Sequence, residues 1–431
     1  MSTATALENA LPPSDYRWNA GALIVDMASF NVGMSFISST AVLPALITAL
    51  GGSEVIVGLG SGLISGAWLL PQLLVAGVVA RLPRKQPFMA RTAWLTRPIL
   101  LVLALIILLL GEDRPAVVLA SVLAGTAVFF MFDAVVSVPW FDLIARAIPD
   151  RRRGRVLGSA QVLGGVGGIL AGVAVRAVLR EGSPPTFPAD YALLYACATG
   201  MMLVSAGALS LIREPASNAP TRDVPPLRRV LAQLPGIITD DRTFRRVIGV
   251  RVLAGFVGMA SAFYVLNTTR NAGLSLESAG FFVSAQVAGS LAGGLLMGVM
   301  QDRWGPLVHI RTIIAISALP PAIALLCQPF LAALGPNVVY PYLLVYFALG
   351  IYAGSIGWPY FNWILEYAEE AKRPLYIGMA NTLGAVTMVT PVLGGWVARD
   401  VSYTAVFALA LTCALTALAM SRCIPSTRRR G

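Results

Sequence analysis

The amino-acid sequence predicts an all-α polytopic membrane protein, in which twelve transmembrane helices form two pseudo-symmetric bundles of six. The first observation is composition, because 57% of the 431 residues are hydrophobic and only 12% are charged, whereas soluble domains carry about 25% charged residues. The second is a series of long apolar runs, and the third is an internal repeat between the two halves of the chain. A soluble globular protein is therefore excluded.

Twelve apolar runs follow one another, separated by short segments rich in Gly, Pro or Arg. Because lipid cannot hydrogen-bond to backbone amides, runs of this length must be helical. The first six cover residues 19–49, 55–80, 87–111, 115–146, 155–179 and 190–212. The last six cover residues 247–268, 275–301, 306–332, 338–366, 374–398 and 402–422.

The runs divide the chain into five parts. The two six-helix bundles occupy residues 19–212 and 247–422, and a polar linker rich in Pro and Arg joins them at 213–246. Residues 1–18 form a cytoplasmic N-terminus and residues 423–431 a basic cytoplasmic tail. The N-terminal stretch lacks the basic region and cleavage pattern of a secretory signal peptide, so we expect the first helix to be retained.

The distribution of cations predicts the orientation in the membrane, since Lys and Arg are retained on the cytoplasmic side. With both termini in the cytoplasm, 25 of the 32 Lys and Arg residues fall in cytoplasmic segments and four in external ones. The net charge of +11 is then explained by topology and by attraction to lipid headgroups. We expect a multi-pass protein of the cytoplasmic (inner) membrane with no nucleic-acid partner.

The internal repeat appears when the chain is shifted by 220 residues. Nine residues are then identical over 28 ungapped positions, among them Pro139 with Pro359 and Arg153 with Arg373. The match continues through a polar connection between helices, where hydropathy alone does not require it. Two halves with the same orientation in the membrane are therefore predicted.

Cofactor, metal and enzyme chemistry find no support in the sequence. The four cysteines are scattered, and His309 is the only histidine, so no metal-ligand spacing is present. No phosphate-binding loop, nucleophile triad or paired carboxylates in a soluble cleft occur. We predict no cofactor, no metal and no enzymatic activity.

The most specific motif lies between the eighth and ninth runs, where Gly298, Asp302, Arg303 and Gly305 have the spacing GxxxDRxG. With two parallel six-helix halves and a basic linker, this loop resembles the signature of the major facilitator superfamily of secondary transporters. The corresponding loop between the second and third runs, residues 77–85, keeps the Gly and the basic end but has no acidic residue. The fourth run lacks the membrane Arg, and the fifth the Gly-Pro, of the family's proton-coupled drug exporters.

The resemblance implies alternating access across the membrane and a central cavity lined by the first, fourth, seventh and tenth runs. It also implies that Asp302 lies near the start of the fifth helix, around residues 154–158. On the other half, Arg81, Arg84 and Lys85 would make a weaker contact or pair with Glu366, Glu369 or Glu370. The candidate cytoplasmic gate comprises Gly298, Asp302, Arg303, Gly305, Arg146 and Glu366.

Four ionisable residues are the clear cases of a charge well inside an apolar run, namely Asp26, Arg97, Asp133 and Arg251. Each costs from a few to more than about 10 kcal/mol in the bilayer and needs a reason. One hypothesis is structural, with Arg97 and Arg251 neutralising Asp133 and Asp26. The second is proton coupling, for which Asp133 is the better candidate because it lies deeper than Asp26. The third is that Asp26 and Arg251 extend to the cytoplasmic interface.

Several side chains are candidates for the substrate cavity. Helical spacing places an aromatic and polar set of the fourth run on one face with Asp133: Phe129, Phe130, Ser137 and Trp140. From the other cavity helices the resemblance adds Asn31, Ser38, Met259, Phe263, Asn267, Trp358 and Tyr360. Helix packing or an interfacial aromatic belt is the alternative for these residues. Asp26 and Asn31 are five positions apart, about 140° around a helix, so we expect that they do not both face one cavity squarely.

The sequence thus predicts a secondary transporter of a small organic solute, with protons as a candidate coupling ion. The alternative is a transporter-like protein that moves nothing and acts as a membrane sensor or assembly partner. The predicted partners are a small-molecule substrate and the lipid bilayer, and we expect a monomer. The sparse charge in the cavity favours neutral or amphipathic solutes over phosphates and di-acids, which would require an Arg cluster.

Overall fold

The computed structural model describes residues 13–79, 82–180, 182, 184–214, 239–368 and 373–427, which form helices and connections without a β-strand. Eight helical stretches within these ranges are long and apolar enough to cross a membrane. One of them, Pro306–Tyr367, has 62 residues, about three times the 20 that one crossing needs. The predicted fold class, an all-α polytopic membrane protein, is confirmed, while the number of twelve transmembrane helices stays a prediction.

The helices of the first half are divided where the sequence requires it. Pro98 has no backbone N–H and cannot continue a helix without loss of a hydrogen bond, so the run at 86–110 breaks at Arg97. The helices are α1 (Pro13–Phe36), α2 (Val42–Ala49), α3 (Glu54–Val79), α4 (Gln86–Thr96), α5 (Pro98–Leu110), α6 (Pro115–Ala147), α7 (Asp150–Val178) and α8 (Ala189–Ser210).

The second half has more breaks, with short 3₁₀ segments at Phe256–Ala260, Gln328–Phe330, Gly335–Val338 and Ala385–Val389. Its first helix begins at Arg242, inside the predicted linker, because the Asp241 carboxylate caps it by accepting from the Phe244 amide at 2.9 Å. The helices are α9 (Arg242–Gly255), α10 (Phe263–Ala272), α11 (Ser278–Trp304), α12 (Pro306–Ser317), α13 (Leu319–Cys327), α14 (Leu331–Leu334), α15 (Val339–Ser355), α16 (Gly357–Tyr367), α17 (Arg373–Gly384), α18 (Thr390–Asp400) and α19 (Tyr403–Ser421).

The two ends of the molecule are packed differently. We call the end where α3, α8, α11 and α19 begin the Glu54 end, and the opposite end, where α1, α4, α7 and α9 begin, the Lys85 end. At the Glu54 end one hydrophobic core joins both halves, with Leu46 and Tyr195 from the first and Phe263 and Phe407 from the second. At the Lys85 end each half has a core of its own. In the described residues, the hydrophobic cores of the two halves therefore merge at the Glu54 end and stay separate at the Lys85 end.

Direct contacts between the halves reinforce the Glu54 end. The helix α7 packs on α11, and α3 packs on α18. The Thr40 hydroxyl donates to Gln286 Oε1 at 2.6 Å, and the Ser284 hydroxyl donates to the Ile169 carbonyl at 3.1 Å. Arg270 forms an ion pair with Glu54. Polar and apolar contacts thus close this end together.

Candidate functional site

A cavity of about 380 Å³ lies within the first half, between α1, α3, α6 and the break at Arg97. Its wall brings together seven of the side chains predicted from the sequence: Asp26, Asn31, Arg97, Phe130, Asp133, Ser137 and Trp140. Asp26 and Asn31 both line it, so the expectation that they face apart is wrong. The cavity wall takes in a wide arc of α1, which Met27 and Phe30 complete.

Arg97 and Asp133 form a buried ion pair in this wall. The guanidinium Nη1 lies 2.7 Å from Asp133 Oδ1, and the two side chains are 2% and 10% exposed. The guanidinium also lies over the rings of Phe30 and Phe129, at 5.2 and 5.5 Å from their centroids, where the faces of the aromatic rings attract a cation. The pairing expected between these two charges is present in the structure.

Asp26 has a different environment. Its carboxylate accepts hydrogen bonds from the Ser205 hydroxyl at 2.6 Å and from the Trp140 indole at 2.8 Å. The expected pairing with Arg251 is wrong, because Arg251 lies in the second half and donates to Asn381 Oδ1 at 3.2 Å. Asp26 therefore faces the cavity with neutral donors as its direct partners.

A second cavity, of about 360 Å³, lies between the halves. Ser61 and Gly62 of α3 form one side, and Arg251, Tyr360 and Asn381 form part of the other. Ile64 lines both cavities, so the helix α3 separates them. Arg251 and Tyr360, two of the predicted site residues, thus meet at the interface of the two halves.

A third space opens between the halves at the Lys85 end. It has a volume of about 380 Å³ and lies between Trp140 and Gln161 on one side and Gly294 and Trp358 on the other. Trp358 is 57% exposed. Trp358, a predicted cavity residue, thus lines the space between the halves.

Five predicted cavity residues lie outside these cavities: Ser38, Phe129, Met259, Phe263 and Asn267. Phe129, Met259, Phe263 and Asn267 are buried in helix packing, and the Asn267 amide donates to the Tyr342 hydroxyl at 2.7 Å. The Ser38 hydroxyl lies 3.2 Å from that of Thr40. Phe129, Met259 and Phe263 belong to the hydrophobic core at the Glu54 end, where helix packing leaves no space.

The candidate gate residues lie in two different environments at the Lys85 end. Asp302 and Arg303 are exposed at the end of α11, and Gly305 follows with φ of 85°, which only glycine adopts without strain. Gly298 faces open space. Glu366 accepts from the Thr427 hydroxyl at 2.5 Å. The placement of Asp302 near α7 stays a prediction.

Arg146 belongs to a polar cluster confined to the first half. It lies 2.6 Å from Asp142 and 3.0 Å from Glu214. Lys85 pairs with Asp142 at 2.9 Å, and the alternative pairing of these cations with Glu366, Glu369 or Glu370 stays a prediction. Glu214 also accepts from the backbone amides of Lys85 and Gln86, both at 2.9 Å, and caps α4. Arg81, Glu369 and Glu370 lie outside the described residues.

Sequence reasoning missed three members of these sites: Ser205, Asp142 and Glu214. Asp142 aligns with Asn362 in the repeat, and Glu214 directly follows the last apolar run of its half, but neither signal identifies a partner. Among the residues that the structure describes, no cluster of His, Cys, Asp or Glu could hold a metal ion.

Comparisons with known proteins agree with this architecture. Residues 246–430 match the family model of the Major Facilitator Superfamily. No curated protein sequence matches the chain significantly.

Solved structures of transporters share the fold over nearly the whole chain. A D-xylose-proton symporter aligns with TM-score 0.65 and 15% identity, covering 95% of this chain and 98% of its own. A bacterial homologue of the human lysosomal transporter Spinster, inward-facing, aligns with TM-score 0.61 and 15% identity over 96% and 95%. A bacterial homologue of the iron transporter ferroportin, also inward-facing, aligns with TM-score 0.68 and 10% identity over 95% and 99%. The second half of the chain thus matches the Major Facilitator Superfamily model, and the chain as a whole shares the fold of these solved transporters.

Proposed function

We propose that this protein is a secondary transporter that moves a small organic solute across the cytoplasmic membrane by alternating access. The observation that carries the proposal is the difference between the two ends: one core shared by both halves at the Glu54 end, and a separate core in each half at the Lys85 end. Packed interfaces have discrete arrangements. Two halves joined at one end can therefore separate there and meet at the other.

The orientation follows from the cation distribution. The basic segments of the sequence lie at the Lys85 end, which we assign to the cytoplasm together with both termini. The structure then corresponds to a state that is closed outside and open inside. Transport requires that the contacts between α7 and α11, and between α3 and α18, break to expose the cavities to the other side.

Flux tests the proposal directly. Purified protein in sealed lipid vesicles is exposed to a mixture of cell metabolites, with and without a pH gradient, and the vesicle contents are compared with those of protein-free vesicles by mass spectrometry. We expect at least one organic solute to enter only with the protein. Failure of every solute to move, in protein shown to be folded, would favour the transport-inactive sensor or assembly partner.

A proton gradient is the driving force that the buried acids support. Of the two acids in the first cavity, Asp133 has Arg97 as its counter-charge at 2.7 Å, whereas Asp26 has two neutral donors. Protonation of Asp133 would leave Arg97 without a counter-charge. Asp26 is therefore the better carrier, a shift from the sequence-based preference for Asp133.

We predict that Asp26→Asn abolishes accumulation driven by a pH gradient but retains exchange of solute across the vesicle membrane. One coupled proton and a gradient of one pH unit support about tenfold accumulation of a neutral solute, since one pH unit corresponds to 1.36 kcal/mol. Asn cannot carry the proton, so the ratio should fall to about one. The control is Asp113→Asn, an exposed acid in the connection after α5. Full accumulation by Asp26→Asn would exclude Asp26 as the carrier.

A further inference from the structure

The cavity between the halves contains a cation that no acid of the described residues balances. Arg251 lies ten positions into the helix α9 and lines this cavity of about 360 Å³. The guanidinium donates to Asn381 at 3.2 Å and lies 5.7 Å from the centroid of the Tyr360 ring. No carboxylate of the described residues forms an ion pair with it. Arg97, by contrast, has Asp133.

An unbalanced arginine at this depth has a high free-energy cost. A charged side chain inside the bilayer is costly, and such residues face a cavity or a partner. The amide of Asn381 and the ring of Tyr360 supply dipoles but no negative charge. A ligand with an anionic group would neutralise the guanidinium.

A second group in the same wall is also without a partner. Tyr360 is 2% exposed, and its hydroxyl has no hydrogen-bond partner among the residues that the structure describes. A buried hydroxyl of this kind normally finds an acceptor. The neighbouring hydroxyls of Ser261 and Thr387 already donate to the backbone carbonyls of Gly258 and Gly384. The Arg251 guanidinium and the Tyr360 O–H are thus two free donors in one cavity.

We propose that this cavity binds an organic solute with a single carboxylate, held by Arg251 and by the hydroxyl of Tyr360. The inference rests on the proposed function and specifies the class of solute transported. One guanidinium matches one carboxylate through two parallel N–H···O bonds, and a dianion would leave one charge unbalanced. Gly384 leaves room for the Arg251 side chain, since a Cβ atom at that position would lie only 3.3 Å from Arg251 Nε. The sequence-based preference for neutral solutes is accordingly replaced.

Binding to the purified full-length protein tests the proposal. The probes are aromatic and aliphatic monocarboxylates from benzoate to octanoate, each beside its neutral primary amide, and the readouts are the melting temperature and titration calorimetry. We expect one or more acids to bind while their amides do not. A hydrogen bond to a charged group contributes about 1.5 to 3 kcal/mol, so Arg251→Gln should weaken binding by about tenfold to a hundredfold.

Two further variants keep the test independent of folding. Arg251→Lys retains the charge but loses the two parallel bonds, and should bind with intermediate affinity. Tyr360→Phe removes only the hydroxyl and should weaken binding several-fold. The matched control is Arg311→Gln, because Arg311 donates to the carbonyl of Ser421 outside the cavity, and it should bind as the wild type does.

The outcomes separate this inference from the proposed function. Equal binding of acids and amides, unchanged affinity in both Arg251→Lys and Tyr360→Phe, or no binding of any acid would overturn the carboxylate site. Flux of neutral or cationic solutes would in that case leave the transport function standing. Absence of flux for every solute, with carboxylates bound at Arg251, would instead reject transport and leave a sensor of organic acids.

Discussion

Asp133→Asn is expected to destabilise the protein strongly, because it leaves the buried Arg97 without a counter-charge. The guanidinium is 2% exposed and its Nη1 lies 2.7 Å from the carboxylate, while its Nε has no hydrogen-bond partner. Breaking a buried ion pair by removal of one partner costs about 3 to 5 kcal/mol. The measurement is the unfolding free energy of the purified protein in detergent. If unfolding is irreversible, the melting temperature is compared instead.

The double variant Arg97→Met/Asp133→Leu separates the orphaned charge from the loss of the pair itself. Replacing both charges with apolar groups of similar volume is often neutral or stabilising, so we expect the double variant to recover most of the lost stability. Asp142→Asn is the control, since its carboxylate is 39% exposed and exposed pairs contribute about 0 to 1 kcal/mol. Equal stability of Asp133→Asn and Asp142→Asn would show that Arg97 does not depend on Asp133.

The four buried charges show how much of the site can be predicted from the sequence. Their cost in lipid marks each one as needing a partner, and the hypothesis that Arg97 neutralises Asp133 agrees with the ion pair in the structure. Asp26 and Arg251 lie at similar depth, yet they do not pair. The rotation of each helix about its own axis decides that, and helix packing sets this rotation. Ser205 and Trp140 became the partners of Asp26 because α8 and α6 turn these side chains toward α1.

The same distinction applies to the cavity residues. Helical periodicity correctly grouped Phe130, Asp133, Ser137 and Trp140 on one face. Phe263 and Asn267 were also expected to line the cavity, but they are buried in packing within the second half, where Phe263 lies beside Tyr403 and Asn267 donates to Tyr342. Periodicity gives a direction around the axis and says nothing of whether space remains there. That depends on the conformational state of the protein.

Enlarging Gly58 and Gly62 is expected to open the Glu54 end. A Cβ atom at Gly58 would lie 2.1 Å from the carbonyl oxygen of Pro391, and one at Gly62 would lie 2.6 Å from that of Met388. These neighbours are backbone atoms, which cannot turn aside as a side chain can. Relief requires α3 and α18 to separate, and this is the movement that alternating access demands at this end. Gly58→Val should therefore disfavour the state in which the Glu54 end is closed.

Accessibility of a single cysteine measures this shift. Cys197, Cys327, Cys413 and Cys423 are replaced with Ala, and Ser39, in the wall of the cavity between the halves, is replaced with Cys. A membrane-impermeant maleimide is then added from the Glu54 side. Each 1.4 kcal/mol moves the equilibrium between the two states by a factor of ten, so an overlap of this size should raise the labelling rate by at least about tenfold.

The matched control is Gly207→Val, because a Cβ atom at Gly207 meets nothing within 4 Å while the substitution is the same in helix propensity and volume. It should label at the wild-type rate. A folded Gly58→Val protein that also labels at that rate would mean that α3 and α18 absorb the extra volume locally, without movement of one half against the other. The close approach at Gly58 would then serve packing alone, and the opening of this end would have to begin elsewhere, with the contact of Gly172 and Gly280 between α7 and α11 as the next position to enlarge.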